Sequence, residues 1–347
     1  MKKYFSFYFI CLIIAITFSQ TATMPDSPND SSEKIISRIA FGSCNKQNKE
    51  QPLWQDIIAC KPQLWVWLGD NIYADTKNMD RMKRKYDRQK DNPDYQKLLE
   101  ITQVVGIWDD HDYGQNNAGK EYPKKVESQQ LFLNFIDEPQ ESSRWTQEGI
   151  FAAYTYGPSG RSIKLILLDV RYHRDTPGPD KDILGDKQWQ WLEYELRNNT
   201  ADITVIASGT QIIPKDYAKK DEVWIDYPRK KDYLFELIGK SVTKGVIFIS
   251  GDRHFAEISK LDSSAIGYPV YEVTSSGLTE TGSPKKKINS LRKGAPYSKQ
   301  HFGVIEIDWN STPVAVSLQI RGLQNKVIME ERINLDELHR LERKTTF

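Results

Sequence analysis

Leu64-Trp65-Val66-Trp67-Leu68 runs directly into Gly69-Asp70-Asn71-Ile72-Tyr73-Ala74-Asp75, an unbroken apolar stretch followed by a polar cluster. The stretch is too short for a helix, and its uniform apolarity predicts a strand buried on both faces. The layout recurs. Residues 38–41 (RIAF) precede Gly42-Ser43-Cys44, 104–108 (VVGIW) precede Asp109-Asp110-His111-Asp112, and 163–168 (IKLILL) precede Asp169-Val170-Arg171. Residues 203–207 (ITVIA) and 246–249 (VIFI) run into Ser208-Gly209 and Ser250-Gly251-Asp252-Arg253-His254. Between these strands, 53–60, 82–100, 125–135, 186–197 and 229–238 have helical character. Strands alternating with helices predict an α/β fold. The C-terminal part differs, because 270–275, 302–308, 314–320 and 326–329 show strand patterns with no helix between them. That texture predicts a mixed or antiparallel second sheet. The expected architecture is two packed mixed β-sheets flanked by helices, in one domain over 36–347.

The 347 residues carry 48 Lys and Arg against 47 Asp and Glu, a net charge of +1, so no overall field favours nucleic acid or an anionic membrane. With 39% hydrophobic residues, 9 Trp and 17 Tyr, the body of the chain folds. The first residues read differently: Lys2 and Lys3, an apolar run over 4–18, then small and polar residues, the layout of a secretory signal. A signal over 1–22 cleaved near Ala22, a flexible Pro/Ser-rich leader over 23–35, and an exported chain without a stable membrane anchor are expected. An uncleaved anchor is the alternative, but about 15 apolar residues are fewer than the about 20 that a span needs. The positive end is Lys-Lys and not a twin-arginine pair, which implies export of the unfolded chain with metal acquired outside. Beyond the signal, Cys44 and Cys60 leave open either one disulfide or a thiol reserved for chemistry. The basic clusters over 81–90 and 285–287 read as solvated surface.

Ligands of α/β proteins bind at the carboxyl ends of strands. Those ends supply Cys44, Asp70, Tyr73, Asp109, Asp110, His111, Asp112, Asp169, Arg171, Asp252 and His254. Thiolate, carboxylate, phenolate and imidazole are all metal ligands once deprotonated. Neither a Gly-x-Ser-x-Gly elbow nor a Gly-rich phosphate loop occurs. Gly69 lets the backbone turn tightly and points Asp70 where it could bridge two cations, the plainer reading being a helix N-cap. Tyr73 offers a hard phenolate oxygen suited to trivalent iron, or else a packed aromatic ring. Asp109, Asp110 and Asp112 about His111 are in electrostatic conflict unless cations neutralise them. His111 would then stand nearest a bound anion, as a hydrogen-bond donor or as the acid on a leaving oxygen. Asp252-Arg253-His254 puts two ligand types on one side of an extended segment, a weak signal by itself. His173, His301 and His339 read as non-ligands, Asn116 and Asn117 as turn residues or phosphate contacts, and Trp224 and Tyr227 as packing or pocket lining.

Five motifs in order, Phe41-Gly42-Ser43-Cys44, Gly69 to Asp75, Trp108 to Gly114, Asp169-Val170-Arg171 and Ser250 to His254, resemble the alkaline phosphatase D family. That family is a branch of the calcineurin-like metallophosphoesterases related to purple acid phosphatases, and the resemblance runs from about Ile39 to about Ile320. It implies a four-layer sandwich and hydrolysis of a phosphate ester at a multinuclear metal centre. Iron with calcium is the implied metal set, other divalent metals remaining open. By motif, Cys44 is similar to the thiolate ligand, Asp70 to the bridging carboxylate, Tyr73 to the ferric phenolate, and Asp110, Asp252 and His254 to further ligands. His111 and Arg171 resemble the catalytic, phosphate-contacting residues. An exported metal-binding protein without turnover is the alternative from another class. Protein partners are not implied, and the motifs do not choose between monoester and diester.

Overall fold

The computed structural model describes residues 33–216, 223–263, 265–284 and 288–339. The expected signal, nearly all of the leader, the basic run over 285–287 and the end of the expected domain lie outside the described residues.

Strands β1 (Arg38–Gly42), β2 (Leu64–Leu68) and β3 (Gln103–Ile107) are parallel, joined by helix α1 (Leu53–Ala59) and by the pair α2 (Met79–Lys90) and α3 (Pro93–Ile101). The helix expected over 82–100 is two helices, because Pro93 has no N–H to continue the ladder and crowds the residue before it. Asn92 takes the extended conformation and caps the second helix, its side chain accepting from Asp94 N at 3.0 Å and Tyr95 N at 3.1 Å. A short α4 (Asp110–Tyr113) and α5 (Lys125–Phe135) follow. Strand β4 (Ala152–Tyr156) is antiparallel to β5 (Ile163–Leu167). From there α6 (Asp186–Arg197), β6 (Ile203–Ser208), α7 (Pro228–Lys240) and β7 (Val246–Ser250) build the second parallel unit.

The remaining chain makes β8 (Ala256–Ser263), β9 (Tyr268–Ser275), β10 (Arg292–Tyr297), β11 (His301–Asp308), β12 (Ala315–Gly322) and β13 (Val327–Asn334). These late strands do not form a sheet of their own. They extend both parallel units, giving one sheet in the order β13-β12-β11-β1-β2-β3 and another in the order β10-β8-β9-β7-β6-β5-β4. Both sheets are mixed, as expected. The sequence pattern does not announce β4, β8 or β10, and β10 (RKGAPY) is an edge strand whose Gly294 and Pro296 read as turn chemistry.

The central strands are buried over their whole length, so each must be apolar on both faces. On β2, Trp65 and Trp67 share one face with ring centres 5.4 Å apart, and Trp54 of α1 packs edge-on at 5.3 and 5.4 Å. The indole N–H of Trp67 donates to Tyr95 OH at 3.0 Å, so the aromatic layer carries no unmet donor there. No helix among the described residues is long and apolar enough to cross a membrane.

The two sheets are stitched by a bridge between Gly277, after β9, and His301, at the start of β11. The His301 ring is fully buried; Nδ1 donates to the Lys299 carbonyl at 2.7 Å and Nε2 accepts from Ser276 N at 3.1 Å. Burial pushes its pKa down to about 4, well under an ordinary value of about 6.5. The folded state therefore holds the neutral ring, and its contribution is complete above about pH 6.5 and lost as the pH falls towards the folded value. The His301 imidazole resonance is expected to stay still between about pH 8 and about pH 5. A midpoint near the ordinary value would mean that the ring is exposed.

Candidate metal centre

Loops leaving the parallel strands of both sheets meet at one edge. Gly251 N donates to Gly209 O at 3.1 Å, and a β-carbon on Gly251 would stand 2.6 Å from Ser43 Oγ and 2.7 Å from the Leu68 carbonyl oxygen. Gly69 has φ +94° and lies so close to the next loop that a β-carbon would be 2.4 Å from Asp109 Cβ. Glycine alone allows both the turn and the approach.

Cys44, Asp70, Asp252 and His254 all have left-handed backbone, with φ of 58°, 50°, 71° and 61°. Each such residue costs about 1–2 kcal/mol, and the surrounding hydrogen bonds hold them there. Asn45 N donates to the Asp70 carbonyl at 2.8 Å, and the Cys44 carbonyl accepts from Thr279 N and Glu280 N, each at 3.1 Å. Backbone strain gathered on four candidate ligands marks the edge as functional.

Two groups of donors result. Cys44, Asp70 and His254 offer atoms that all lie within 4.8 Å of one another, and so do Asp70, Asp110 and His111. Asp70 belongs to both, the placement of a bridging carboxylate: Oδ2 is 3.5 Å from Cys44 Sγ, and Oδ1 accepts from His111 N at 3.3 Å. Tyr73 OH lies 3.0 Å from His254 Nε2 and so adds an oxygen to the first group. Asp252 stands outside both groups but close enough to press on them electrostatically, and its Oδ2 accepts from Arg253 Nη1 at 3.2 Å.

The charges fit cations. Burial first, then Asp70 and Asp252, push the Cys44 thiol well above its ordinary pKa. Burial and the other aspartates do the same to Asp70, and burial with Cys44 and Asp70 does it to Tyr73. Asp109 Oδ2 is buried without a hydrogen-bond partner. Thiolate, phenolate and clustered carboxylates can coexist here only beside positive charge, which is the chemistry of a metal site.

Other acidic residues brace the loops. Asp112 accepts from Asp109 N at 2.6 Å, Asp70 N at 3.2 Å and Asn71 N at 3.1 Å, tying the second loop to the third. Asp169 accepts from Trp108 Nε1, Ile150 N, Arg171 N and Tyr172 N at 2.8–3.0 Å, which shapes the loop after β5.

Several expectations change. Arg171 is expected to touch phosphate, but its side chain is 0% exposed, its Nε donates to Asp109, and its Nη2 lies 3.9 Å from Asp110 Oδ1. It holds the acidic loop. Cys44 and Cys60 are both buried free thiols, so the disulfide alternative falls; Cys60 ends α1, where its carbonyl accepts from Arg38. Trp224 and Tyr227 are core residues, bonded to Ser208 Oγ at 3.1 Å and to the Asp175 carbonyl at 2.7 Å. Asn117 uses its backbone N to hold Asp110 Oδ2 at 2.6 Å, while Asn116 is exposed beside His111 on an open cavity of 540 Å³. His173 lies away from the two groups, near Glu148.

A model of the PhoD-like phosphatase family matches residues 39–318, the span that carries every loop described above. The chain belongs to that family. Alkaline phosphatase D of Bacillus subtilis (strain 168) is 24% identical over 189 residues, covering 45% of this chain and 32% of the relative. The chain thus spans about a third of the length of that curated relative. Among solved structures, PhoD superposes with a TM-score of 0.72 at 15% identity, over 89% of this chain and 70% of that one. A purple acid phosphatase from yellow lupin (Lupinus luteus) seeds does so at 0.58 and 14%, over 89% and 55%. At these identities the likeness is one of fold, an α/β sandwich of two mixed sheets.

Within the PhoD-like frame, sequence reasoning misses Asp75. Its carboxylate lies 2.8 and 2.9 Å from His111 Nδ1, and the backbone closes the unit, Ala74 N donating to the His111 carbonyl at 3.1 Å. The signal was the distance from Gly69 to Asp75 in one motif, which has no meaning until the third loop is folded back on it. Burial works against the charged imidazole, but the Asp75 hydrogen bond and the carboxylates of Asp110, Asp75 and Asp109 outweigh it, so the His111 pKa is raised. Lys85, from the cluster read as solvated surface, donates to the Tyr73 and Ala74 carbonyls and supports the second loop. Lys83 and Lys90 of the same helix are surface ion pairs with Asp87 and Asp137, as expected.

Proposed function

We propose that this chain is an exported, metal-dependent hydrolase of phosphate esters. The observation that carries the reading is Asp70, one carboxylate shared by two donor groups at the meeting edge of both sheets. Cys44, Tyr73, Asp70 and His254 would hold one cation and Asp70 and Asp110 the other, with the His111 ring beside it. A phenolate and thiolate set favours iron, and an oxygen-rich set favours a hard ion such as calcium. When bound, such cations supply Lewis-acid charge to phosphoryl oxygens and lower the pKa of water towards neutrality.

The protein's own part is orientation and proton transfer. Asp75 engages His111 Nδ1, which leaves Nε2 as the ring nitrogen that would meet substrate and favours the protonated ring. From there Nε2–H donates to the leaving oxygen, so the proton goes to the departing alcohol. Arg171 holds Asp109, and Asp112 holds the turn at Asp70, so the loops keep their places as charge develops.

Hydrolysis of an aryl phosphodiester and of the matching monoester by the metal-supplied chain tests the reading. A diester preference means room for two substituents on phosphorus; a monoester preference means a phosphatase. Turnover of neither ester moves the weight to a metal-binding protein without turnover. His111→Ala is expected to lower turnover about 100–1,000-fold with metal content near normal. Loss of metal with activity would make His111 a ligand instead. Asp75→Asn is expected to lower turnover about 10–100-fold, also with metal retained. Export rests on residues 1–22, and the intact mass of secreted chain should show their removal.

A further inference from the structure

Negative groups crowd the metal centre, so the cations near it decide how an anionic ester is held. Most of them are engaged. Arg171 is buried against Asp109, Arg174 Nη1 donates to the Asn117 carbonyl at 2.8 Å, and Lys49 pairs with Glu280 at 2.7 Å. Lys85 donates to the Tyr73 and Ala74 carbonyls.

Lys46 is different. It lies two residues past Cys44, and its backbone N donates to Thr279 Oγ1 at 2.6 Å. Both neighbours in sequence are buried parts of the site: Asn45 N donates to the Asp70 carbonyl at 2.8 Å, and Gln47 Oε1 accepts from Tyr73 N at 2.9 Å. The half-buried side chain therefore rises from a backbone fixed by the loops that carry two candidate ligands. Its ammonium sits 5.6 Å from the centre of the Tyr73 ring. That ring touches the first donor group through its hydroxyl and packs on His111, the ring centres 4.2 Å apart. Among the described residues no carboxylate forms an ion pair with Lys46. An ammonium over an aromatic face is held weakly compared with one on a phosphoryl oxygen.

We propose that Lys46 is a substrate-contacting residue, whose ammonium leaves the Tyr73 face to bind a non-bridging oxygen of the phosphoryl group. The proposal rests on the phosphoesterase reading above, and it supplies the anion contact that buried Arg171 does not make. The contact favours a doubly charged monoester over a singly charged diester, since a point charge gains with each charge it meets.

The test compares the metal-loaded full chain with Lys46→Met, which keeps the apolar stem, and Lys46→Arg. KM and kcat on an aryl monoester and diester, inhibition by inorganic phosphate and metal content are measured. Lys46→Met is expected to raise the monoester KM and the phosphate inhibition constant about tenfold, with metal content unchanged and most of the loss recovered in Lys46→Arg. Constants within about twofold of the parent overturn the proposal. So does metal content that falls in step with activity, which would make Lys46 a support for Tyr73. If the parent hydrolyses neither ester, calorimetry with inorganic phosphate separates the two readings. Weaker phosphate binding in Lys46→Met keeps the contact while the hydrolase reading fails; equal binding, or none in the parent, overturns the contact.

Discussion

Asp70→Asn is expected to lower hydrolysis by about 1,000-fold, the equivalent of about 4 kcal/mol of charge stabilisation, and to empty both metal positions. Asp70 is the one residue shared by the two donor groups, and an amide keeps its shape while removing the charge. The metal-free variant should fold at least as well as the metal-free parent. Asp70 is buried among other carboxylates and its pKa is pushed well up, so its charge opposes folding in the absence of cations. Thermal melting with metal analysis separates lost chemistry from lost fold. More than a tenth of the parent activity with both metals retained would remove Asp70 from the bridging position.

Chelation should cost nearly as much in stability. At free metal about 1,000 times the dissociation constant, a bound ion adds about 4 kcal/mol, and in a domain of this size its removal lowers Tm by about 6 °C. The pH dependence follows from the same groups. Asp70 and Asp112 both have raised pKa values, each chiefly from burial. A raised group contributes stability that is present at low pH and lost as the pH climbs through its folded value. The metal-free protein should therefore melt lower as the pH rises from about 5 to about 8, while the gain from added metal grows over the same range. Burial of neutral His301 acts in the opposite direction in both forms, so the difference between them isolates the metal centre. A chelated protein that melts with the loaded one at every pH would leave these carboxylates without a cation to answer.

Much of this was legible one segment at a time. Short apolar runs ending in Gly-Asp or Asp-Asp-His announce buried parallel strands with ligands after them, because a strand covered on both faces must be apolar throughout and polar groups can appear only where it ends. Cys44, Asp70, Asp110 and His254 could be picked out for that reason, and the two donor groups bring them together. Tyr73 needed the fold as well, since a tyrosine in a loop reads equally as packing until its hydroxyl is seen 3.0 Å from His254. The split between α2 and α3 lies in Pro93 alone, since the residues on both sides of it have helical character.

What the sequence by itself determined is the local chemistry: which segments bury both faces, where glycine lets the chain turn, and which donor types stand at each strand end. Those are properties of a few adjacent residues and follow from backbone sterics and the hydrophobic effect. Tertiary structure alone decided how the donors are shared out and oriented. It put Arg171 behind Asp109 instead of before the substrate, aligned Asp75 with His111 across 36 residues of chain, and laid Lys46 over Tyr73. It also divided the late strands between two sheets, since each parallel unit left an open edge and only the packed whole determines which late strand covers it. Those outcomes depend on distances between segments remote in sequence, which no local pattern encodes.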